Sequence, residues 1–204
     1  MRLYFDTCIV NDSFVLLQTH GGDILHSRDV KWPLEKWILE YISLYYILDL
    51  DNQWELEFGS SPIMQEELRS MPIRSNHARE KKSSMLKIYD LLAEKTRFPK
   101  LLPVPEHLLK RVSKALPDKK DVEHVCQVVL GGWDYFITTD FKTILCRAEH
   151  LKSIGIIAIS PRAFVEGNFM TLEQLVRTLQ GSWTSLEDVV KSWINEIKAS
   201  VVLD

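Results

Sequence analysis

Short apolar runs, each no longer than a β-strand, recur between longer amphipathic stretches, and this alternation limits the fold more than any other feature of the chain. Residues 2–5 read as a short buried strand, Leu50–Phe58 alternates apolar and polar side chains, and Leu101–Val104 is an apolar run among prolines. Asp134–Asp140 (DYFITTD) is a strand that runs into a carboxylate, and Ile154–Ile159 (IGIIAI) is continuously apolar. Helical stretches separate them: residues 33–49 with Pro33 in the first turn, a helix opened by Ser61-Pro62 and stopped at Pro72, residues 77–95, Pro105–Leu116, a helix from Pro117-Asp118 to Gly131-Gly132, and Phe141–Lys152. Residues 7–18 suit a helix or an ordered loop, and His20–Asp23 a turn. Strands alternating with helices predict an α/β fold: three layers, α/β/α, around a central, mainly parallel sheet. A helical insertion at about residues 20–51 and a helical tail over 169–204, containing LEQLVRTLQ and SLEDVVKSWINEIK, are added to a main domain of residues 1–168. The tail reads as a small cap, an oligomerisation arm that would make a homodimer, or a docking element.

The 204 residues are 46% hydrophobic and 26% charged, enough for one domain with a sizeable core. A net charge of −3 excludes a global basic field, so any contact with a polyanion has to be local. Cys8, Cys126 and Cys146 are widely spaced and form no Cys-x-x-Cys pair, which argues against a zinc site or a disulfide framework. No apolar run is long enough for a membrane span or a signal-peptide core. These features predict a cytoplasmic protein with free thiols and no membrane partner.

Four carboxylates stand at informative positions. Asp6 and Asp140 each close an apolar run, LYF and YFITT. In open parallel sheets ligands lie outside the carboxyl ends of the strands, so two such aspartates can face one crevice; an aspartate there is also an ordinary turn residue. Glu67 interrupts the apolar helical stripe of Ile63, Met64, Leu68 and Met71, whereas Glu66 lies off it. A carboxylate on that face either finds a cation or donors, or marks the edge of a half-buried stripe. Asp121 follows Asp118 by three residues, a spacing that suits a capping exchange and the helix dipole. It also flanks the stripe of Val122, Val125, Cys126 and Val129 at the end nearest a strand terminus. His124, on the same side of that helix, reads as a packed or supporting histidine.

The order of these residues (strand-end Asp, helix Glu, helix-start Asp, strand-end Asp) in LYFDTCIV, SSPIMQEELRSM, PDKKDVEHVCQVVLGGWDYFITTD and IGIIAISPRAFVE resembles the PIN domain, a family of metal-dependent nucleases. The resemblance spans residues 2–166 and is most specific in the last two stretches. It implies a PIN-like nuclease domain over residues 1–168: an endoribonuclease that hydrolyses RNA phosphodiester bonds with Mg²⁺ or Mn²⁺. Asp6, Glu67, Asp121 and Asp140 would be the catalytic and metal-binding set. Thr138 and Thr139, and more weakly Thr7 and Asn11, would orient them. Many bacterial members are toxins held by an antitoxin that plugs the acidic crevice, which makes an antitoxin a candidate partner. The insertion, with Trp32 and Trp37, and the tail after Asn168 depart from the minimal pattern.

The chemistry suits the acids. Mg²⁺ and Mn²⁺ take oxygen ligands, and one or two such ions activate water and clamp a phosphate. Conversely, two carboxylates ~4 Å apart repel by about 4 kcal/mol at an effective dielectric of 20, so a metal-free site is expected to be strained, with raised carboxylate pKa values. Two basic groups adjoin the acids: Arg69, Arg74, Arg79, Lys81 and Lys82, and then Lys110, Arg111, Lys114, Lys119 and Lys120. Arg69, Arg74, Lys119 and Lys120 are the candidate RNA contacts, against a solvated face of ion pairs. A catalytically weak RNA- or protein-binding module is the alternative. A haloacid-dehalogenase-type site would want an aspartate where Cys8 stands, and no phosphate-binding Gly-Lys-Ser/Thr loop is present.

Overall fold

The computed structural model describes residues 1–10, 37, 39, 40, 43, 44, 46, 47, 50, 56–95 and 100–179. Asn11, the turn at residues 20–23, most of the 20–51 insertion and the segment SLEDVVKSWINEIK lie outside the described residues. Strands β1 (Arg2–Phe5), β2 (Glu57–Gly59), β3 (Tyr135–Ile137) and β4 (Ala158–Ile159) pair in parallel throughout, in the order β2-β1-β3-β4. The helices are α1 (Pro62–Ser70), α2 (Asn76–Lys95), α3 (Glu106–Ser113), α4 (Lys119–Gly131), α5 (Ala148–Ser153), α6 (Pro161–Asn168) and α7 (Leu172–Leu179). Residues 7–10 are helical, as are the described residues between 37 and 47.

Side-chain alternation along the strands makes the layers. Leu3, Phe5, Phe58 and Ile137 enter one apolar cluster with Met64 and Leu68 of α1, Met85 and Tyr89 of α2, Phe164 and Val165 of α6 and Leu175 of α7. Tyr4, Phe136 and Ala158 enter a second with Leu108 and Val112 of α3, Val122, Val125 and Cys126 of α4, and Leu151 of α5. Helices therefore cover both faces of the sheet. Each fully buried large apolar side chain contributes about 1.5–3 kcal/mol, which is why so short a set of strands holds.

Two strand-to-helix junctions share one device. Ser61 and Ser160 each follow a strand, precede a proline and cap the next helix, accepting N–H bonds from Ile63 (3.2 Å) and Ala163 (3.2 Å). Asp118 caps α4 through Lys120 N and Asp121 N, and Gly132 ends that helix at a φ of 63°. Glu40, buried within the insertion, accepts from Ser160 Oγ (3.0 Å) and Arg162 N (2.9 Å), which sets a carboxylate on the positive end of α6.

Several expectations need correction. Leu101–Val104 is not a strand: Pro103 and Pro105 have no N–H to offer a ladder, and Gln127 takes the partner strand's place. Its amide donates to Leu102 O and accepts from Leu102 N, both at 2.9 Å. Gln127→Ala is expected to cost about 1–2 kcal/mol in urea unfolding, and Gln127→Glu more, because a carboxylate cannot donate to the Leu102 carbonyl; unchanged stability in both variants would remove this strap from the account. Phe141–Lys152 is not one helix. Asp140 Oδ1 takes the N–H groups of Lys142 and Thr143, closing a tight turn, and α5 starts only at Ala148 after a 3₁₀ turn. β1 spans residues 2–5 as expected, whereas β3 and β4 are shorter than the runs that contain them, and Gly155, at a φ of 88°, bends the chain before β4; of Leu50–Phe58, residues 51–55 lie outside the described residues.

The strand order has a functional consequence. From β1 the chain passes to β2 on one side and then crosses to β3 on the other. The carboxyl ends of β1 and β3 therefore flank the switch point, where open parallel sheets bind ligands.

Candidate functional site

Asp6 is the first residue beyond β1, and its N–H continues the ladder to Ile137 O (3.1 Å). Its side chain is buried and held on both oxygens: Oδ1 accepts from Thr7 N (2.7 Å), and Oδ2 from Thr138 Oγ1 (2.6 Å) and Cys8 Sγ (3.0 Å). The Thr138 hydroxyl in turn accepts from Asp140 N (3.0 Å), so one threonine ties the two strand-end aspartates together. Thr139 lies behind it, against Cys8 Sγ (3.3 Å). Asp140 does serve as a turn cap through Oδ1; among the described residues its Oδ2 accepts no hydrogen bond.

α1 runs from the carboxyl end of β2 and presents Glu67 to the same end of the sheet. Glu67 is half-buried, with Thr7 Oγ1 donating to Oε2 and His124 Nε2 at 3.3 Å. Oε1 accepts no hydrogen bond among the described residues, and Glu66 is exposed. α4 leads into β3, so its first turn lies at that edge as well. The expected capping exchange is one-sided: Asp118 accepts from Asp121 N, but the Asp121 carboxylate accepts no hydrogen bond among the described residues. His124, 1% exposed, is packed between Tyr4 and Glu67.

The acids also act on one another through their charges. Burial pushes the Asp121 carboxyl up, repulsion from Asp6, Asp118 and Asp140 pushes it further, and His124 opposes them; it rises to about 7. Glu67 departs from the expected rise. Burial pushes it up, but hydrogen bonds from His124 and Thr7, with the charges of His124 and Lys120, outweigh burial and hold the carboxyl below its ordinary range. The Tyr4 phenol is raised by burial and by the charges of Asp6 and Glu67, despite an opposing bond to Ser61.

These two shifts act on stability in opposite senses. Asp121 has a folded value above its unfolded one, so its contribution to stability falls as pH rises from about 4 through 7. Glu67 contributes above its ordinary range and loses that contribution as pH falls. Asp121→Asn is therefore expected to stabilise the fold by about 1–2 kcal/mol at pH 8, allowing for screening at a half-open position, and to leave it unchanged near pH 4. Urea unfolding at the two pH values measures this; a variant less stable at pH 8 would contradict the clustering of charges.

Among the described residues no three His, Cys, Asp or Glu side chains form a ready-made ion cage. The donor set nevertheless fits Mg²⁺ or Mn²⁺: hard carboxylate oxygens, several of them without a hydrogen bond among the described residues, where burial and neighbouring acids disfavour the Asp121 anion. Of the candidate RNA contacts, Lys120 is half-buried close to Glu67 and pairs with Glu123 (3.5 Å), as does exposed Lys119 (3.9 Å). Arg69 and Arg74 are exposed at and beyond the end of α1. Sequence reasoning missed Cys8 and Tyr4 at the site. The available signals were a thiol two residues beyond Asp6 and a phenol two residues before it. No disulfide joins Cys8, Cys126 and Cys146, and no helix among the described residues is long and apolar enough to cross a membrane.

No protein-family model matches the chain, and no curated protein matches it.

Proposed function

We propose that the protein is a PIN-like, Mg²⁺- or Mn²⁺-dependent endoribonuclease acting at the crevice between the carboxyl ends of β1 and β3. One arrangement carries this: Thr138 ties Asp6, beyond β1, to Asp140, beyond β3, while Asp121 at the start of α4 accepts no hydrogen bond among the described residues and is raised first by burial and then by the charges of Asp6, Asp118 and Asp140. An acid in that condition gains from a cation more than from any neighbour it has. When bound, the ion would lower the pKa of a water and neutralise charge on the scissile phosphate. The chain's own residues do the rest. Thr138 fixes Asp6 relative to Asp140, and Thr7 and His124 fix Glu67. Asp6, Asp121 and Asp140, with Oε1 of Glu67, would hold the ion. Lys120 adds positive charge beside Glu67, and Arg69 and Arg74 extend it along the end of α1, which favours RNA among the partners the resemblance implies.

The test is hydrolysis of mixed RNA by the whole chain with Mn²⁺, with Mg²⁺ and with a chelator, comparing the unaltered protein with Asp6→Asn and Asp140→Asn. Cleavage that needs the ion and both aspartates is expected. Equal cleavage by all three proteins, or binding of RNA without ion-dependent cleavage, would reject the proposal; the second result would favour the binding module.

A further inference from the structure

Tyr4 and His124 are not explained by packing alone. Tyr4 is fully buried on β1, and its hydroxyl lies 2.9 Å from His124 Nδ1, with Ser61 also facing the phenol. The two rings meet edge to face, with centroids 5.9 Å apart at 73°. The other ring nitrogen, Nε2, is 3.3 Å from both Glu67 Oε2 and Thr7 Oγ1. Thr7 has a single hydroxyl hydrogen, and it is directed to Glu67 Oε2. Both atoms facing Nε2 therefore present lone pairs, so Nε2 carries the hydrogen. In the neutral form of the ring, Nδ1 is then the acceptor for the buried phenol.

We infer that Tyr4 and His124 are a positioning pair. Tyr4 holds the imidazole in its Nε2–H form, His124 and Thr7 hold Oε2 of Glu67, and Oε1 is left as the oxygen turned to the crevice. The last clause rests on the metal-dependent function proposed above; the hydrogen-bond assignment does not. A histidine locked by a donor on one nitrogen so that the other orients a carboxylate is the arrangement by which outer groups tune ion sites, where losing such a group lowers affinity by about 10–100-fold.

Two measurements test the pair. Long-range ¹H–¹⁵N spectra of the whole chain at pH 8, with His124 assigned by comparison with His124→Gln, are expected to show a protonated Nε2 and an unprotonated, hydrogen-bonded Nδ1. A proton on Nδ1, alone or with Nε2, would overturn the assignment. Titration with Mn²⁺, followed by electron paramagnetic resonance, is expected to show about 10-fold weaker binding for Tyr4→Phe, which keeps the ring packing. His124→Gln, whose amide nitrogen can reach the Nε2 position, should bind more tightly than His124→Ala. Tyr4→Phe with unaltered Mn²⁺ affinity and a native melting curve would overturn the positioning role. No Mn²⁺ binding by the unaltered chain would overturn the nuclease proposal and the role of Oε1, while the spectra still decide the hydrogen bonds.

Discussion

Asp140→Asn is expected to lower Mn²⁺-dependent RNA hydrolysis by more than about 100-fold while leaving the fold intact. Among the described residues the hydrogen bonds to this side chain come from the N–H groups of Lys142 (2.9 Å) and Thr143 (2.8 Å), both to Oδ1, and none reaches Oδ2. An asparagine keeps its carbonyl oxygen on those donors and turns its NH₂ group to the crevice. The cap survives and only the oxygen proposed to face the ion is lost, and with it part of the repulsion on Asp121. Asp6→Asn should lose as much activity but is structurally less clean. Thr7 N donates to one of its oxygens, and Thr138 Oγ1 and Cys8 Sγ to the other. One orientation of an amide sets its NH₂ against the Thr7 N–H, and the other forces the Thr138 hydroxyl to reverse and accept, at a cost of about 1–3 kcal/mol, partly offset by relief of Asp121. A folded Asp140→Asn protein that cleaves RNA at the original rate would contradict the assignment.

The second large effect concerns the packing of β2 against Trp133, which precedes β3. A Cβ at Gly59 would stand 2.1 Å from Trp133 Cη2 and 2.3 Å from Cζ2, far inside contact distance. The indole cannot easily retreat. The Arg2 guanidinium lies over it at 4.6 Å and is itself bound to Gly131 O (2.6 Å) and Gly132 O (2.9 Å), while Tyr4 packs edge-on at 5.9 Å. Gly59→Ala is therefore expected to cost about 3 kcal/mol and to lower the melting temperature by roughly 6–12 °C. Calorimetry showing no change would mean that Trp133 is free to move.

Gly59 also shows where the sequence stops being informative. The continuous apolar run LYF and the helical spacing in PIMQEELRSM are local properties, and each matches what the chain does: LYF is a strand buried on both faces, and Ile63, Met64 and Leu68 are buried on α1. Caps are local too, so the starts at Ser61-Pro62 and Asp118 and the stop at Gly132 were legible. The tryptophan that excludes a side chain from position 59 comes from 74 residues further along the chain, and no local pattern announces it. Leu101–Val104 misled for the same reason: its apolar run reads as a strand, but its partner is one glutamine side chain of α4. At the site, the strand-end and helix positions of the acids were readable. That Thr138 would bridge Asp6 and Asp140, and that Glu67 would be lowered by donors instead of raised by its neighbours, depends on side chains brought together from β1, α1, α4 and the end of β3.

The most direct test is diffraction from crystals grown with Mn²⁺, using the anomalous signal of the ion. The expected result is an Mn²⁺ peak in the crevice beyond β1 and β3, coordinated by carboxylates of Asp6, Asp121 and Asp140 and by Oε1 of Glu67, directly or through water. Full-occupancy Mn²⁺ elsewhere on the molecule, with the crevice empty, would contradict the account.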